Sequence, residues 1–343
     1  MIKSCPSNKI LNPITNRCVL KSSIIGKKLI KDYKPIIIKQ LSIIKEYEKQ
    51  QNNSYKVKAY SSVLNQLYNY KNPITNYKDF IDNIKVGEKI AKKVEQLINE
   101  NKITYIEEKI INNSNFKIKE KLTKIYGIGQ IKANELIKKG IKTIEDLKNN
   151  KELLNEKQLL GLKYYFDLEK RIPLNEFLHH KSFIEKDLKK NNLIYDFVGS
   201  FRRGNKTMGD IDILIMNNNK FNLKNFIKEL IELRYIKEIL ALGKVKFSGI
   251  VRLDGGIFRR LDILICPENE YYYSLLYFTG SAEFNIGFRN YVKQNFNISL
   301  SEHGIKDNKI RIPLMKSEKD IFDFFKIKYI EPNKRKIFFI SQK

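Results

Sequence analysis

The sequence predicts an α+β fold with a helical first half, and two patterns carry that prediction. From about residue 35 to 172, apolar residues recur at intervals of three and four with lysines between them, as in amphipathic helices. Beyond residue 172, short strand-like runs such as 244–251 and 259–265 appear between helical patterns, with Asp254-Gly255 as a hairpin turn signal. A helical segment followed by a mixed one is typical of an α+β protein.

The chain is strongly basic. It carries 65 Lys and Arg against 38 Asp and Glu, a formal net charge of +27. Such a surface repels itself unless a polyanion lies against it, and nucleic acid is the commonest polyanion. An anionic membrane or a merely charged exterior is the alternative. With 42 % hydrophobic residues in a chain of 343, the sequence can form about two or three domains, each with a core.

The sequence carries no export signal. No stretch approaches the ~20 apolar residues of a membrane span, and the N-terminus lacks the apolar core of a signal peptide. We therefore expect an intracellular protein with no membrane partner. The cysteines Cys5, Cys18 and Cys266 do not make a disulfide framework, which predicts a reducing compartment. Two cysteines cannot complete a zinc site, so residues 1–30 are expected to be a disordered tail or an interaction tag.

Two turns in the helical half share a glycine chemistry. The run Tyr126–Gly129 precedes a helical pattern, and Gly127 and Gly129 permit positive φ and close backbone approach. Amides beyond such glycines can face a phosphate at a helix N-terminus. The segment 84–87 is a weaker copy, with Lys85 in place of the first glycine. Both are either ordinary helix connections or paired helix-hairpin-helix turns that grip a DNA backbone, and the net charge favours the grip.

Three aspartates lie in two predicted strands, 210–215 and 259–265. Asp210 and Asp212 are two residues apart, so strand periodicity places both carboxylates on one face. Asp262 can face the same way from a neighbouring strand. Crowded carboxylates are unstable unless they are protonated or neutralised, and a pair of Mg²⁺ ions shared with substrate phosphates resolves this. Solvent-facing aspartates on an amphipathic strand are the alternative.

A candidate phosphate-binding motif precedes the aspartates. Gly199-Ser200 at the end of a predicted strand can offer amides and a hydroxyl to phosphate oxygens. Arg203 adds a bidentate guanidinium, and Gly209 directly precedes Asp210. Gly-Ser followed by Gly-Asp-x-Asp is the signature of the nucleotidyltransferase superfamily.

With these motifs in order, the sequence resembles the family X DNA polymerases from about residue 40 to 335, and the polymerase beta branch most of all. The strongest stretches are 199–212, 259–262, 277–281 with Asn285 and Arg289, 127–147 and 317–329. The resemblance implies a helical half with helix-hairpin-helix motifs, a nucleotidyltransferase-type mixed β-sheet palm and a small α+β C-terminal subdomain.

The resemblance also implies a division of the chain into segments with different tasks. The segments are a two-cysteine extension over 1–30, a lyase-like helical domain over 31–109, a helix-hairpin-helix DNA-binding subdomain over 110–173, a catalytic palm over 174–268 and a nucleotide-selecting subdomain over 269–343.

Roles for single residues follow from the same resemblance. Asp210 and Asp212 are implied to bind both metals, and Asp262 to bind the catalytic metal and assist deprotonation of the primer 3′-hydroxyl. Residues implied to hold the incoming nucleotide are Arg171, Ser200, Arg203, Gly209, Tyr277, Phe278, Gly280 and Asn285. Residues implied to contact DNA are Lys56, Tyr60, Lys89, Gly127, Gly129, Arg260 (near the primer terminus) and Arg289. Backbone carbonyls implied to hold Na⁺ or K⁺ are those of Thr123, Ile125 and Ile128.

A second reactive site is implied in the helical half. Lys93 matches a Schiff-base nucleophile that removes a 5′-deoxyribose phosphate, and Lys89 lies one helical turn earlier on the same face. A nearby like charge lowers a lysine pKa and frees its amine. Any helix in so lysine-rich a chain carries lysines at this spacing, which is the alternative. Several positions depart from the family. Among them, Tyr105 replaces a basic residue, and Leu264 replaces an arginine that can pair with a catalytic aspartate.

Together these observations predict a monomeric DNA-directed DNA polymerase that fills short gaps in base excision repair, with 5′-deoxyribose-phosphate lyase activity. Its expected partners are gapped or nicked duplex DNA, dNTPs, a DNA ligase and other repair enzymes. Its expected metals are two Mg²⁺ ions, with Mn²⁺ able to substitute. A template-independent nucleotidyltransferase and a catalytically idle gapped-DNA-binding scaffold are the alternatives. AT-rich composition and the Cys5/Cys18 motif suggest a giant DNA virus, hence a replication site in the host cytoplasm or a virion.

Overall fold

The computed structural model of the chain describes residue 5 and the ranges 8–12, 17–20, 32–70, 72–111, 113–217, 221–306 and 312–335. These residues form two compact units: Met1–Thr123 with Gly129–Asp146, and Lys124–Ile128 with Leu147–Lys343. Within the described ranges, no helix combines the length and the apolar character that crossing a membrane requires.

The N-terminal extension contains a β-hairpin, in which β1 (Lys9–Asn12) pairs antiparallel with β2 (Arg17–Leu20). Cys5 and Cys18 form a disulfide bond, with their Cα atoms 5.7 Å apart. For the described part of this segment, the expectations of a disordered tail and of cysteines outside a disulfide are therefore wrong, whereas the alternative of an interaction tag stays a prediction. Strand pairing brings the two segments to a separation that a disulfide can span, and the inference of a reducing compartment loses its basis.

Helices packed on an apolar core build the rest of the first unit. They are α1 (Lys34–Gln50), α2 (Ser54–Asn69), α3 (Tyr77–Asn83), α4 (Glu88–Glu100), α5 (Ser114–Thr123) and α6 (Gln130–Lys138), with a short helix Thr104–Ile106 that continues as a π-helical turn Glu107–Ile111. The side chains of Asn53 and Asn76 cap α2 and α3. Ile90, Val94 and Leu97 of α4 are buried, which confirms the helical period expected there.

A five-stranded mixed sheet lies at the centre of the second unit. Its strands are β4 (Tyr195–Phe197), β6 (Ile211–Met216), β7 (Ile236–Leu242), β8 (Lys246–Val251) and β9 (Arg259–Cys266), and their order in the sheet is β4-β6-β9-β8-β7. Two further short strands, β3 (Ile172–Pro173) and β5 (Thr207–Met208), pair with each other. β6 and β9 run parallel, whereas the other pairs are antiparallel. The hairpin expected at Asp254-Gly255 is confirmed as the β8–β9 connection, with φ +70° at Gly255.

The remaining elements flank this sheet in sequence. The helices are α7 (Ile144–Asn149), which crosses the boundary between the two units, α8 (Glu156–Leu168), α9 (Leu174–Lys190), α10 (Gly199–Arg202), α11 (Leu223–Glu232), α12 (Tyr271–Thr279), α13 (Ala282–Phe296) and α14 (Glu318–Phe324). A short hairpin of β10 (Ser299–Ser301) and β11 (Gly304–Lys306) follows α13. Aromatic residues of the C-terminal elements form their own buried cluster, including Phe284, Phe288, Phe322 and Phe325.

Alternation along two strands separates the core from a polar face. Ile211 and Ile213 of β6 are at most 1 % exposed, as are Leu261 and Ile263 of β9. Since successive side chains in a strand point to opposite faces, the residues between these apolar ones lie on the other face of the sheet. This face carries the residues of the candidate active site.

Candidate active site

The three predicted metal-binding aspartates meet on the polar face of the sheet. In the parallel pairing of β6 with β9, Asp212 lies directly opposite Asp262, and Asp210 immediately precedes β6. One carboxylate oxygen from each lies within 4.8 Å of the others. The arrangement follows from the strand period of two and from the register, which together place all three carboxylates on one side.

The electrostatics of this cluster favour a bound cation. Burial raises the pKa of Asp212 well above its ordinary value, and the neighbouring Asp210 and Asp262 carboxylates raise it further. Like charges so close together are stabilised by a divalent ion, which prefers carboxylate oxygens as ligands. The triad can therefore hold a divalent metal.

Two consecutive arginines on β9 contact different carboxylates, because successive side chains of a strand point to opposite faces of the sheet. Arg259 is 3 % exposed and donates to both carboxylate oxygens of Glu176, at 2.6 and 2.8 Å. Arg260 instead lies among the carboxylates of the aspartate triad. Its Nη2 contacts Asp210, and its Nε lies 3.2 Å from Asp262 Oδ2. Arg260 thus offsets part of the negative charge of the triad.

Gly199 allows the phosphate-binding motif to approach the triad. It has φ +61°, and a Cβ atom at this position would overlap the carboxylate oxygen Oδ2 of Asp212. The preceding amide of Val198 donates to the backbone oxygen of Asp212 at 3.0 Å. The end of β4 and the start of α10 are therefore packed directly against Asp212, a predicted metal ligand.

The predicted phosphate-binding arginines are held by backbone oxygens. Arg203 Nη1 donates to the carbonyl of Thr279 at 2.5 Å, and Arg171 Nη2 donates to the carbonyl of Thr207 at 2.5 Å. A Cβ atom at Gly209 would lie 3.3 Å from Arg171 Nη1, so the glycine gives that guanidinium its room. Both arginines keep further N–H groups with which a phosphate could bond.

Most predicted nucleotide-binding residues line one cavity of about 690 Å³. The predicted nucleotide-binding members are Arg203, Tyr277, Phe278, Gly280 and Asn285. The cavity also includes Arg289, which was predicted to contact DNA, and Ser281, Ala282, Ile286 and Asn290. Asn285 Nδ2 donates to the carbonyl of Tyr277 at 2.7 Å, which fixes the amide at the cavity wall. Ser200, Gly209 and Arg171 do not line this cavity and belong to the triad side of the site.

An ion network behind the cavity was not predicted from the sequence. Glu318, 4 % exposed, accepts from Arg335 Nη1 at 2.6 Å and from Arg202 Nη2 at 2.8 Å. Arg202 Nη1 also donates to the hydroxyl of Thr279 at 2.7 Å. Thr279 therefore accepts a hydrogen bond from Arg202 at its hydroxyl and one from Arg203 at its carbonyl. Through Thr279, the network helps to orient Arg203, a predicted phosphate contact.

The predicted helix-hairpin-helix turn uses the positive φ that glycine permits at Gly127. This residue has φ +84°, and its carbonyl accepts from Gln158 Nε2 at 3.1 Å. Gly129 has φ −91° and ψ −178° and serves as the extended N-cap of α6. The carbonyl of Ile125 accepts from the amide of Ile128 at 3.0 Å. The monovalent-cation role of Thr123, Ile125 and Ile128 stays a prediction.

The predicted lyase residues come together in the first unit. Lys93 Nζ donates to the carbonyl of Lys89 at 3.2 Å, and Lys56 Nζ donates to Glu48 Oε1 at 3.0 Å. Tyr60 is 4 % exposed, and burial followed by the Glu48 charge raises its pKa to about 12. Burial, assisted by the charge of Lys56, lowers the pKa of Lys93. No motif in the sequence indicated that Glu48 belongs to this group of residues.

Four domain families match the chain, and each accounts for a different segment. They are a helix-hairpin-helix domain over 32–103, the fingers domain of DNA polymerase lambda over 120–169, the DNA polymerase beta palm over 171–268 and the DNA polymerase beta thumb over 274–336. The polymerase palm covers the triad described above, and the domains follow one another in the order of one polymerase family. The chain belongs to the family X DNA polymerases.

Relatives within family X show the extent of the likeness. DNA polymerase lambda of Rattus norvegicus is 27 % identical over 328 residues, which cover 89 % of this chain and 56 % of the relative. DNA polymerase lambda of Arabidopsis thaliana is 26 % identical, covering 74 % of this chain and 52 % of the relative. DNA nucleotidylexotransferase of Xenopus laevis is 25 % identical, covering 94 % and 73 %. The chain thus spans about half the length of the two polymerase lambda relatives.

Proposed function

We propose that the protein is a DNA-directed DNA polymerase that fills short gaps in duplex DNA. The observation that carries the proposal is the coincidence of three carboxylates within 4.8 Å and a separate nucleotide-sized cavity lined by Arg203, Tyr277 and Asn285. Family membership supports the same reaction class. A net charge of +27 and the helix-hairpin-helix match support duplex DNA as the substrate.

The residues divide the work of nucleotidyl transfer. Divalent metal bound by the triad would lower the pKa of the primer 3′-hydroxyl and neutralise charge on the leaving pyrophosphate. Arg203 and Arg171 would bind the triphosphate through their remaining N–H groups, and Ser200 would add its hydroxyl. Tyr277, Phe278 and Gly280 would pack against the sugar, with Asn285 and Arg289 beside the bases. The protein's share of catalysis is alignment and charge stabilisation.

Omission of the template strand separates this function from its nearest alternative. On a one-nucleotide gap with a 5′-phosphate, we expect insertion of the nucleotide complementary to the template base. Addition to a single strand at a comparable rate would instead favour a template-independent nucleotidyltransferase. Binding of gapped duplex without insertion would favour the scaffold.

DNA affinity should fall steeply with salt. Each phosphate neutralised by Lys or Arg releases counterions, so log K should fall with log[salt] at a slope of about −0.9 for each contact. With six or more contacts, affinity for a gapped duplex should fall about 10³-fold or more between 50 and 200 mM salt. Fluorescence anisotropy over this range measures the slope, and a flat line would contradict the basic surface as the DNA-binding face.

We propose 5′-deoxyribose-phosphate lyase as a second activity, carried by Lys93. Lys93 lies among Lys56, Lys89 and Glu48, and its lowered pKa increases the fraction of neutral amine at neutral pH. The nitrogen would add to the C1′ aldehyde and, with loss of one water, form an imine. A proton at C2′ would then pass to solvent, while the C3′–O bond breaks with its electron pair leaving on the phosphate.

Replacement of Lys93 should separate the two activities. In Lys93→Ala we expect loss of borohydride trapping on DNA with a 5′-deoxyribose phosphate. We expect nucleotide insertion within about twofold of wild type, since Lys93 belongs to the first compact unit and the aspartate triad to the second. The matched control is Lys92→Ala, which removes an exposed neighbour that pairs with Glu88 at 2.7 Å and lines the same surface cavity. Equal loss of trapping and insertion in Lys93→Ala would contradict the proposal that the lyase and the polymerase activities belong to separate sites.

Finer assignments extend these proposals. We propose two Mg²⁺ ions at the triad, with Mn²⁺ able to substitute, and Na⁺ or K⁺ at the helix-hairpin-helix turn. We further propose that the protein acts in base excision repair as a monomer, with a DNA ligase and other repair enzymes as partners. We propose that its five segments have the tasks that the sequence predicts, and that it resembles the polymerase beta branch most. We also propose that it comes from a virus and acts in the host cytoplasm or in a virion.

A further inference from the structure

A buried carboxylate anchors the wall of the lyase pocket. Glu48, on α1, is 2 % exposed and accepts two hydrogen bonds at the same oxygen. One comes from Lys56 Nζ at 3.0 Å, and the other from the hydroxyl of Tyr105 at 2.6 Å. A buried charge must be paired and hydrogen-bonded to persist, and Lys56 with Tyr105 meets that requirement. Residues from three separated parts of the chain are thus tied to one atom.

Tyr105 also faces the predicted nucleophile. The ammonium nitrogen of Lys93 lies 4.9 Å from the centre of the Tyr105 ring, within the range of a cation–π contact. Tyr47 packs edge-on against the same ring, with the centroids 6.2 Å apart. The ring is therefore fixed at its hydroxyl by Glu48 and at its edge by Tyr47, and it presents a face to the Lys93 amine.

We propose that Tyr105, anchored by Glu48, is a positioning residue that holds the Lys93 amine for attack on an aldehyde. This inference rests on the lyase activity proposed above and adds to it a residue and a mechanism. Its substrate class is the ring-opened sugar aldehyde of a 5′-deoxyribose phosphate. Tyr105 touches the nucleophile and need not touch the substrate.

The chemistry explains why the amine must be held. Imine formation requires the Lys93 nitrogen to add its lone pair to the aldehyde carbon, after which one water leaves. A free lysine side chain samples many rotamers, and few of them aim the nitrogen at a bound aldehyde. The bond to the carbonyl of Lys89 at 3.2 Å and the ring face of Tyr105 together limit those rotamers.

The identity of residue 105 suits this task. The family resemblance implies a basic side chain here, which would add another positive charge next to Lys93. A tyrosine satisfies Glu48 with a neutral hydroxyl and covers the amine with an apolar ring. The ring also helps to exclude water from Lys93, whose surroundings already include the charges of Lys56 and Lys89.

Substitutions that keep or remove the ring test the proposal in the full-length protein. The assay is single-turnover borohydride trapping on gapped duplex with a 5′-deoxyribose phosphate, at saturating and subsaturating DNA. In Tyr105→Leu we expect the trapping rate to fall about 10- to 100-fold, with the apparent KM for DNA unchanged. In Tyr105→Phe, which keeps the ring and loses the bond to Glu48, we expect a fall of less than about fivefold. The control Tyr55→Leu removes a tyrosine that is 82 % exposed on α2 and should leave trapping unchanged.

Each other outcome overturns the proposal in a recognisable way. Trapping at the wild-type rate in Tyr105→Leu means that the ring does not position the amine. Equal damage in Tyr105→Phe and Tyr105→Leu assigns the effect to the hydroxyl rather than to the ring. If insertion and thermal stability fall together with trapping, Tyr105 has only a structural role. Failure of the wild-type protein itself to be trapped overturns the lyase function, and this inference with it, before any variant is measured.

Discussion

Asp262→Ala should reduce nucleotide insertion by at least about 10³-fold, because it removes a predicted metal ligand from the centre of the proposed reaction. Asp262 lies opposite Asp212 across β9 and β6, and its carboxylate belongs to the cluster within 4.8 Å. Two carboxylates could still hold a metal, but weakly and without the ligand predicted to face the primer hydroxyl. The measurement is single-turnover insertion into a one-nucleotide gap, over a Mg²⁺ titration.

The control for this variant is Asp254→Ala, which removes an exposed aspartate from the β8–β9 loop. It should insert nucleotides at the wild-type rate. Affinity of Asp262→Ala for gapped DNA should stay within about twofold of wild type or rise, since a negative charge is lost near the polyanion. Insertion by Asp262→Ala above one tenth of the wild-type rate would remove this residue from the catalytic machinery.

Glu318→Ala should destabilise the C-terminal subdomain by about 3–5 kcal/mol, the range found when one partner of a buried ion pair is removed. Arg335 is 0 % exposed and would keep its charge without the carboxylate that compensates it. Although burial acts in the opposite direction, hydrogen bonds from Arg335 and Arg202 hold the pKa of Glu318 below its ordinary value. The network therefore contributes its full stability when the pH is above the ordinary pKa of a glutamate. As the pH falls through the lowered pKa of Glu318, the carboxylate protonates and this contribution is lost.

Denaturant unfolding at neutral pH measures the change in the free energy of unfolding. Glu331→Ala is the control, because it removes an exposed glutamate from the same C-terminal segment. Nucleotide affinity should weaken in Glu318→Ala as well, since Arg202 and Arg203 share Thr279. A change in the free energy of unfolding below about 1 kcal/mol would place Glu318 among ordinary surface ion pairs.

The Asp210–Asp212 pair was predictable because its geometry is local. The two residues share a strand face by the period of two, and apolar neighbours reveal which face is buried. The local pattern showed that Asp262 lies in a similar strand, whereas its place beside Asp212 followed from the family resemblance. The left-handed conformation of Gly127 also has a local signal, since a glycine before a helix permits positive φ.

The ion network and the lyase wall could not be predicted, because their partners are distant in sequence. Glu318 resembles many glutamates at a helix start, and nothing in the sequence links it to Arg202. Glu48 and Tyr105 likewise meet only through packing of the first unit. The Cys5–Cys18 disulfide was not predicted, because two cysteines in a basic chain do not indicate a disulfide framework.

The parallel pairing of β6 with β9 makes the metal site a reporter of folding. Its carboxylates come from strands separated by residues 217–258, with β7 and β8 between them along the chain. Contacts so distant in sequence form slowly in general, and a slip of one residue would turn Asp262 to the opposite face. A nascent or misregistered chain therefore has no complete metal site. The proposed polymerase activity therefore depends on the native register of β6 with β9.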